Sequence, residues 1–484
     1  MSMSDTEILF IAPPFNYGNF DSLGPKCPNL GIALIAAYLE EKGINVKILD
    51  AYGLNLSIDN VKEEIVRSNP KHVFIASAAA NHQIALKVAE IVKEINPKMK
   101  VVIGGPHVST VPESAFPKAD YAVIGEGEET ALELSQKLLG KKKINIKKIK
   151  GIAYLEKNKV VINKPREMIA DLNKLPMPAY HLLPMEAYKA YGWFDVGRKF
   201  STMITSRGCL FSCIFCASSE NFKHKWRARS AKNVFDEMKL LYEKYGIRHI
   251  YFQDDEFCVD NNRVKEICRM IKDYKMDIYW ECLTRVVSVN DELLKTMADA
   301  GCKGISYGVE VGYEEGWKKI NKPITKEQVS NAIRLTQKYR ILARASFVTG
   351  FPWESEKEIR KTINFAKELN PDLVFFTTLS PFPGTKIWKD YFENNPSLFS
   401  KGASLNSYII HGQTPIIRTN YLSPEQLENL NGKAFSEFYL RPKYLLRQLK
   451  QIHNFHELKR SLSSGKTLLK IALSRIISKP KTSS

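Results

Sequence analysis

Apolar runs alternate with amphipathic stretches along the first 140 residues. Residues 6–12 form an apolar run that stops at Pro13-Pro14, and residues 30–42 place apolar side chains on one helical face before Gly43. The same alternation predicts more strands, over 46–49, 73–77, 101–103 and 121–124, and more helices, over 61–68, 84–95 and 129–138. This order predicts a doubly wound, mostly parallel, Rossmann-like sheet, which binds ligands at the carboxyl ends of its strands.

The alternation resumes at Phe200 and continues to about Phe382. It predicts strands over 201–205, 249–253, 277–283, 304–309, 343–349 and 373–378, with helices between them. Six strand–helix units predict a partial TIM-type (β/α)6 barrel that is open on one side. In such barrels the reactive groups come from the loops that follow the strands.

The remaining segments predict a linker and a helical end. Residues 152–162 predict a small hairpin around Lys157-Asn158-Lys159, and residues 165–184 are proline-rich. Helices are predicted over 424–439, 444–458 and 467–477. We therefore predict four regions: a Rossmann-like domain (1–150), a hairpin and linker (151–198), a partial barrel (199–390) and a basic helical region (391–484).

Composition indicates an ordinary globular protein, with 44% hydrophobic and 25% charged residues. Five of the eight cysteines are scattered singly, which is no disulfide framework and fits a reducing cytoplasm. The first residues are polar and acidic, unlike a secretory signal, and the longest apolar runs are about ten residues, too short to span a bilayer. We expect a cytoplasmic protein.

The net charge of +19 is concentrated at the end of the chain, where the last 44 residues hold eleven lysines and arginines against one glutamate. A basic amphipathic helix there is expected either to lie on an anionic membrane surface or to cap the barrel. No aromatic platform or known fold accompanies the charge, so no nucleic-acid partner is expected.

Cys209, Cys213 and Cys216 follow the first barrel strand with the spacing C-x-x-x-C-x-x-C. A structural zinc site normally has four ligands, whereas an iron–sulfur cluster takes one cysteine per iron. Three thiolates would leave one iron of a 4Fe-4S cluster open for a small molecule. The alternatives are a zinc site with His224 as fourth ligand, or chance core thiols.

Polar or conformationally special residues follow the later barrel strands. Taken singly, each has an ordinary explanation, such as a helix cap, a salt bridge or a turn. Their common position at successive strand ends is what indicates a site. The strand-end residues are Asp254, Asp255, Arg285, Glu310, Thr349 and Gly350. Phe215, which precedes the last cysteine of the trio, is a further candidate.

The cysteine spacing, Phe215 and the apolar Leu210-Phe211 insertion resemble the signature of the radical S-adenosylmethionine (SAM) enzymes. Residues 347–352 and 381–385 resemble later motifs of that family. The resemblance implies that the open iron binds SAM, which splits into methionine and a 5′-deoxyadenosyl radical. It also implies SAM contacts for the seven strand-end and aromatic residues above, and a ferredoxin or flavodoxin as electron donor.

Two glycine-rich segments of the first domain resemble the cobalamin-binding domain that precedes many radical SAM domains. Glycines there let the backbone approach a flat corrin. The Asp-x-His-x-x-Gly motif, which supplies an axial histidine in other cobalamin proteins, is absent. The resemblance therefore implies that cobalamin binds without a protein histidine on the lower face of the corrin. The alternative is a ligand-free interaction domain. The residues implied to contact cobalamin are Gly104, Gly105, His107, Gly125, Glu126 and Gly127.

Together the two domains imply a cobalamin-dependent radical SAM enzyme that C-methylates an unactivated carbon. The basic end of the chain suggests a lipid or isoprenoid substrate. A radical cyclase or ring-rearranging enzyme is the alternative. A tRNA methylthiotransferase is less favoured because the first domain holds only Cys27, not a second cysteine trio. The intact trio disfavours a non-catalytic cobalamin-binding protein.

Overall fold

A computed structural model describes residues 6–15, 25–190, 195–400 and 416–450. Its first sheet has the strands β1 (Ile8–Ala12), β2 (Val46–Asp50), β3 (His72–Ala76), β4 (Lys100–Gly104), β5 (Tyr121–Val123), β6 (Ile152–Glu156) and β7 (Lys159–Ile162). The accompanying helices are α1 (Leu30–Glu40), α2 (Ile58–Ser68), α3 (His82–Ile95), α4 (Pro106–Thr110) and α5 (Glu128–Leu138).

The strand order of this sheet is β2-β1-β3-β4-β5-β6-β7, and the first five strands are parallel. This confirms the doubly wound Rossmann-like fold, in the order 2-1-3-4-5, for which ligands bind at the carboxyl edge. The predicted hairpin, β6 and β7, pairs antiparallel with β5 and so extends this sheet.

The second sheet is fully parallel, in the order β15-β14-β13-β12-β11-β8. Within the described residues its two edge strands do not pair, which confirms a partial barrel that is open on one side. The strands are β8 (Phe200–Met203), β11 (His249–Phe252), β12 (Tyr279–Thr284), β13 (Cys302–Glu310), β14 (Leu342–Thr349) and β15 (Leu373–Thr378).

A separate two-stranded antiparallel ribbon, β9 (Ser206–Arg207) and β10 (Arg227–Ala228), follows β8. The later helices are α6 (Ala217–Asn221), α7 (Ala231–Lys244), α8 (Asn261–Asp273), α9 (Asp291–Asp299), α10 (Glu314–Lys319), α11 (Lys326–Lys338), α12 (Glu356–Leu369), α13 (Pro424–Tyr439) and α14 (Pro442–Lys450). Several of them begin at reciprocal capping boxes, made by Thr325, Ser355 and Ser423 with residues three positions later.

Helix α13, predicted over 424–439, packs along the open edge of the barrel at β15. The Tyr439 hydroxyl accepts from the Val374 N–H (3.0 Å) and donates to the Val374 carbonyl (2.8 Å). The Asn431 amide joins two strand ends, since it donates to Thr378 Oγ1 (2.7 Å) and accepts from Thr349 Oγ1 (2.8 Å). The helix therefore satisfies backbone groups that an edge strand would otherwise leave without partners.

Part of the basic end of the chain is used inside the molecule. Arg441 donates to the Lys367 carbonyl (2.7 Å) at the last turn of α12, and Arg447 donates to the carbonyls of Asn370 and Pro371. Cations are stabilised at helix C-termini. The predicted helix over 444–458 is described only as far as Lys450, and the helix over 467–477 lies outside the described residues.

Among the described residues, no helix has both the length and the apolar character that crossing a bilayer requires. Membrane association through the end of the chain therefore stays a prediction.

We predict that Tyr439→Phe lowers the free energy of unfolding of the barrel by about 1–3 kcal/mol, because the Val374 backbone groups lose their buried partner. Urea unfolding followed by tryptophan fluorescence measures this, since five tryptophans lie in the barrel region: Trp226, Trp280, Trp317, Trp353 and Trp388. Tyr421→Phe is the matched control because Tyr421 is 66% exposed. Equal loss in both variants would contradict the proposed anchoring.

Candidate functional site

The three cysteines lie in one loop, residues 208–226, which connects the two strands of the β9–β10 ribbon. At the start of this loop, Gly208 has φ +87°, and a Cβ there would collide with the Lys225 carbonyl. Only glycine adopts this backbone conformation so close to Lys225 without strain. The Cys216 N–H donates to the Cys213 carbonyl (3.1 Å), so the last two cysteines share one tight turn.

The cysteine thiols need a bound cation to be held as thiolates. All three are free and partly exposed, and burial raises the pKa of the Cys209 thiol to about 11, so a bound cation is needed to hold the thiolate. In the described ranges, no three His, Cys, Asp or Glu side chains converge as ligands of one metal ion.

The zinc alternative gains no support from His224. Its Nδ1 lies 3.3 Å from the Phe211 carbonyl, and the residue is exposed.

Arg285, immediately after β12, lies against the cysteine loop. Its Nη1 is 3.5 Å from Cys213 Sγ, and its guanidinium lies 3.6 Å from the centre of the Phe211 ring. The side chain is buried, yet its Nε and Nη2 have no hydrogen-bond partner in the described structure. A buried guanidinium is costly without an anion. The residue therefore fits an anionic group beside the cluster, such as the carboxylate of SAM.

The two aspartates after β11 differ in what they contact. Asp254 is buried and anchors the start of the ribbon, because it accepts from the Thr205 N–H (2.7 Å) and the Ser206 hydroxyl (2.6 Å). Asp255 is exposed and accepts from Ser218 Oγ (2.7 Å) on α6. Of the two, only Asp255 is open to a ligand. The predicted SAM contact of Asp254 stays a prediction.

Glu310, at the end of β13, has the left-handed φ of +70° and forms a buried ion pair with Lys322 (2.7 Å). A Cβ at Gly308 would collide with the Glu310 carboxylate, so this glycine makes room for the pair. The predicted SAM contact of Glu310 would have to share the carboxylate with Lys322.

The loop after β14 is organised by a buried carboxyl group. Glu354 Oε2 accepts from the N–H groups of Gly350 (2.8 Å) and Phe351 (3.1 Å), and burial raises its pKa to about 7. Gly350 takes φ +88°. The Phe351 ring packs edge-on against Phe215, with ring centres 5.9 Å apart. This contact joins the β14 loop to the cysteine loop.

The predicted cobalamin residues lie at the carboxyl edge of the first sheet, where β3, β4 and β5 end beside each other. Gly105 has φ +118°, and a Cβ there would collide with the Ser77 backbone. Gly125 has φ +79°, with open space where its Cβ would be. Exposed Ala78 and Ala80 add two more small residues to this edge. Such an edge fits a broad, flat group such as a corrin.

His107 is buried beneath this edge. Its ring lies 4.0 Å from the ring of His82, and burial, with a smaller effect of His82, lowers its pKa to about 4. Ser77 Oγ holds His82 Nδ1 at 2.8 Å. The predicted cobalamin contact of His107 stays a prediction.

Glu126 links the edge of the first sheet to the cysteine loop. Its carboxylate accepts from Arg207 (2.8 Å), from Arg227 (2.9 and 3.0 Å) and from the Ile169 N–H (2.7 Å). Glu128 accepts from the other end of the Arg207 guanidinium (2.5 Å). Although burial alone would raise the pKa of Glu126, these arginines lower it, so the carboxylate stays charged.

We call this set of ion pairs, Glu126 and Glu128 with Arg207 and Arg227, the ribbon clasp. Arg207 and Arg227 face each other across the ribbon that encloses the cysteine loop, and Arg207 is two residues before Cys209. The clasp therefore fixes the cysteine loop next to the predicted cobalamin edge.

Comparison with known families and structures agrees with this arrangement. Residues 18–135 match the B12 binding domain, and residues 203–366 match the radical SAM superfamily. A relative from Pyrococcus horikoshii, named an uncharacterized methyltransferase, is 35% identical over 94% of this chain and 96% of its own length. The chain belongs to the radical SAM superfamily. It is a cobalamin-dependent, methyltransferase-like member of that family, and the predicted cluster, SAM and cobalamin are confirmed as its cofactors.

Two more relatives carry specific names. Cytidylyl-2-hydroxyethylphosphonate methyltransferase of Streptomyces wedmorensis is 28% identical, over 76% of this chain and 78% of its own. Anaerobic magnesium-protoporphyrin IX monomethyl ester cyclase of Rubrivivax gelatinosus is 28% identical, over 79% of this chain and 69% of its own.

Two solved structures share the fold of this radical SAM enzyme. The cobalamin-dependent enzyme OxsB with aqua-cobalamin superposes with a TM-score of 0.75 at 18% identity, covering 98% of this chain and 72% of its own. TsrM from Kitasatospora setae, with cobalamin and a [4Fe-4S] cluster, gives 0.70 at 16% identity, covering 97% and 100%.

Several residues of the site were not predicted from the sequence. They are Arg207, Arg227, Lys322, Glu354 and Asn431. Arg207 adjoins the cysteine motif, but nothing in the linear sequence indicates its partners. The others lie far from their contacts along the chain or outside any recognisable motif.

We predict that Cys213→Ala loses most of its iron after anaerobic reconstitution, because one iron then lacks its ligand. Iron and sulfide quantification measures this, with circular dichroism to check folding. Cys268→Ala, which removes a buried thiol of α8, is the matched control and should keep its iron. Retention of the cluster in Cys213→Ala would contradict the assignment of this ligand.

We predict that Arg207→Ala speeds hydrogen exchange in residues 125–128 and 208–226 together, because it leaves the buried Glu128 carboxylate without its arginine partner and Glu126 with Arg227 alone. Arg166→Ala is the control. That arginine is equally buried and pairs with Glu129 and Glu133, but its partners are on α5 alone. Exchange mass spectrometry should show the control speeding exchange near α5 only. Unchanged exchange over 208–226 in Arg207→Ala would rule out the clasp.

Proposed function

We propose that this enzyme transfers a methyl group from SAM to an unactivated carbon of its substrate. The observation that carries the proposal is the ribbon clasp, which brings the glycine-rich edge of the B12 binding domain beside the cysteine loop. When bound, the cluster and SAM supply one-electron chemistry at a C–H bond, and cobalamin supplies methyl transfer. Such a reaction needs these two cofactors close together.

The chain's own residues would bind and orient the reactants. Arg285, buried with two free donor nitrogens, would hold the SAM carboxylate, and the exposed Asp255 would accept from its ammonium. Phe215 and Phe351, whose rings pack against each other, would give the site an apolar wall that keeps water from the reacting atoms.

A radical cyclisation or ring rearrangement is the second candidate, and the relative named as a cyclase supports it. Methylation is favoured because the Pyrococcus horikoshii relative, which aligns with 94% of this chain, is named a methyltransferase. The methylthiotransferase alternative remains disfavoured, since the first 150 residues hold only Cys27.

A lipid or isoprenoid as substrate stays a hypothesis. It rests on the basic end of the chain, and residues 451–484 of that segment lie outside the described structure.

We expect the reduced, reconstituted enzyme to move a labelled methyl group from SAM to a product. The measurement is an anaerobic incubation with methyl-deuterated SAM and a metabolite and lipid extract of the cells that make the enzyme, followed by mass spectrometry. Products that gain the intact labelled methyl group, and are absent with Cys213→Ala, support methylation. Products without label, formed together with 5′-deoxyadenosine, would contradict it and support the cyclase alternative.

A further inference from the structure

Helix α14 has one face that packs on the barrel. The Tyr444 hydroxyl donates to the Asp372 carbonyl (3.1 Å), and Arg447 Nη1 donates to the Asn370 carbonyl (2.8 Å). Both acceptors lie just before β15, so α14 is at the amino end of this strand. The cysteine site follows strand carboxyl ends, which are on the opposite side of a parallel sheet. A partner on the outer face of α14 would therefore contact the protein away from the cysteine site.

The outer face of α14 is apolar and exposed. Successive residues of a helix are about 100° apart, so Leu445 and Leu446 point away from the face that holds Tyr444. They are 47% and 59% exposed, and Leu440, in the turn between α13 and α14, is 53% exposed. Lys443 between them is also exposed. Exposed leucines so close together in the chain indicate a binding surface, and we call these four residues the α14 surface.

The charge around the α14 surface is mixed on the barrel side and strongly positive toward the end of the chain. Glu437 is paired with Arg360 (2.5 Å) and Lys367 (2.8 Å), and Glu368, next to Lys367, is an exposed acid. The last 44 residues, however, hold eleven lysines and arginines against Glu457 alone. More than half of the net positive charge of the protein therefore lies in the segment to which α14 belongs.

The apolar pattern of α14 continues in the sequence beyond it. Leucine, isoleucine and phenylalanine recur there at the spacing typical of an amphipathic helix, at Leu449, Ile452, Phe455 and Leu458. Protein–protein interfaces are depleted in lysine, whereas a basic amphipathic segment is typical of binding to an anionic lipid surface. A nucleic acid would use the positive charge but not the leucines. The combination therefore favours a lipid surface.

We propose that the α14 surface docks this enzyme on an anionic lipid bilayer. The leucines enter the head-group region, and the lysines and arginines of the chain end are attracted by the lipid phosphates. The binding is peripheral and reversible, because a short apolar face with basic residues binds far more weakly than a helix that spans the bilayer. Salt weakens it by screening. The proposal does not rest on the proposed function, since it holds whether or not the substrate is a lipid.

Liposome flotation of the full-length protein tests the proposal. The vesicles are made of phosphatidylcholine alone, or of phosphatidylcholine mixed in equal amounts with anionic phosphatidylglycerol. The leucine variant is Leu445→Ser and Leu446→Ser combined. The matched control is Val66→Ser and Ile162→Ser combined, which removes two similarly exposed apolar side chains (58% and 49%) from the first domain. Circular dichroism and iron content show whether each variant is intact.

We expect the wild-type protein to float with the anionic vesicles at low salt, and far less with phosphatidylcholine alone. The apparent dissociation constant for anionic vesicles should rise about tenfold or more in the leucine variant and stay near the wild-type value in the control. Lys443→Glu should raise it about fivefold or more. Lys157→Glu, the same charge change at the exposed turn of the hairpin, should have a much smaller effect.

A wild-type protein that does not float with anionic vesicles would overturn the proposal, as would equal flotation of the leucine variant and its control. A loss in Lys443→Glu without a loss in the leucine variant would indicate a purely electrostatic contact, such as one with a nucleic acid, and would also overturn it. Light scattering covers the remaining occupant, since a wild-type dimer that the leucine variant cannot form would assign the α14 surface to a second copy. Because flotation is read without substrate, a failed methyl-transfer assay would leave these results unaffected.

Discussion

The Glu126 carboxylate joins the first domain of this enzyme to the ribbon that carries the cysteine loop. It accepts hydrogen bonds from Arg207 and Arg227 of the ribbon and from the Ile169 N–H of the linker. Two guanidinium groups at only 12–15% side-chain exposure would be costly without carboxylate partners. Arg207 precedes the cysteine loop and Arg227 follows it. The ion pairs that stabilise these buried arginines therefore also position the cysteine loop relative to the cobalamin edge.

The groups of the barrel that are suited to chemistry lie beyond the ends of its strands. Four other cysteines are buried in the barrel, and burial raises the pKa of the Cys268 and Cys282 thiols and keeps them protonated. The three cysteines of the site lie beyond a strand end on a partly exposed loop. Arg285 and Asp255 also lie beyond strand ends; Arg285 has two donor nitrogens without a partner in the described structure, and Asp255 is exposed. This division follows the general rule for such barrels.

The sequence predicted most of the strands and long helices because apolar periodicity is local, but it missed α4 and the short β9–β10 ribbon. The strand predicted over 373–378 is Leu373–Thr378, and the helix predicted over 424–439 is Pro424–Tyr439. The cysteine trio was equally recognisable, since its spacing within eight residues carries the chemistry. The ribbon clasp was not, because Glu126 and Arg227 are 101 residues apart and an ion pair has no period. The hairpin was predicted because its turn is local, whereas its pairing with β5 was not, because that contact joins distant parts of the chain.

We propose that the cysteine trio holds a cluster with one iron left open for SAM, beside bound cobalamin. Mössbauer spectroscopy of anaerobically reconstituted, iron-57-labelled enzyme tests this most directly, with and without SAM. We expect a 4Fe-4S spectrum in which one iron site alone changes when SAM is added. A protein that instead takes up a single tetrahedral zinc ion, or a cluster whose spectrum does not respond to SAM, would contradict it.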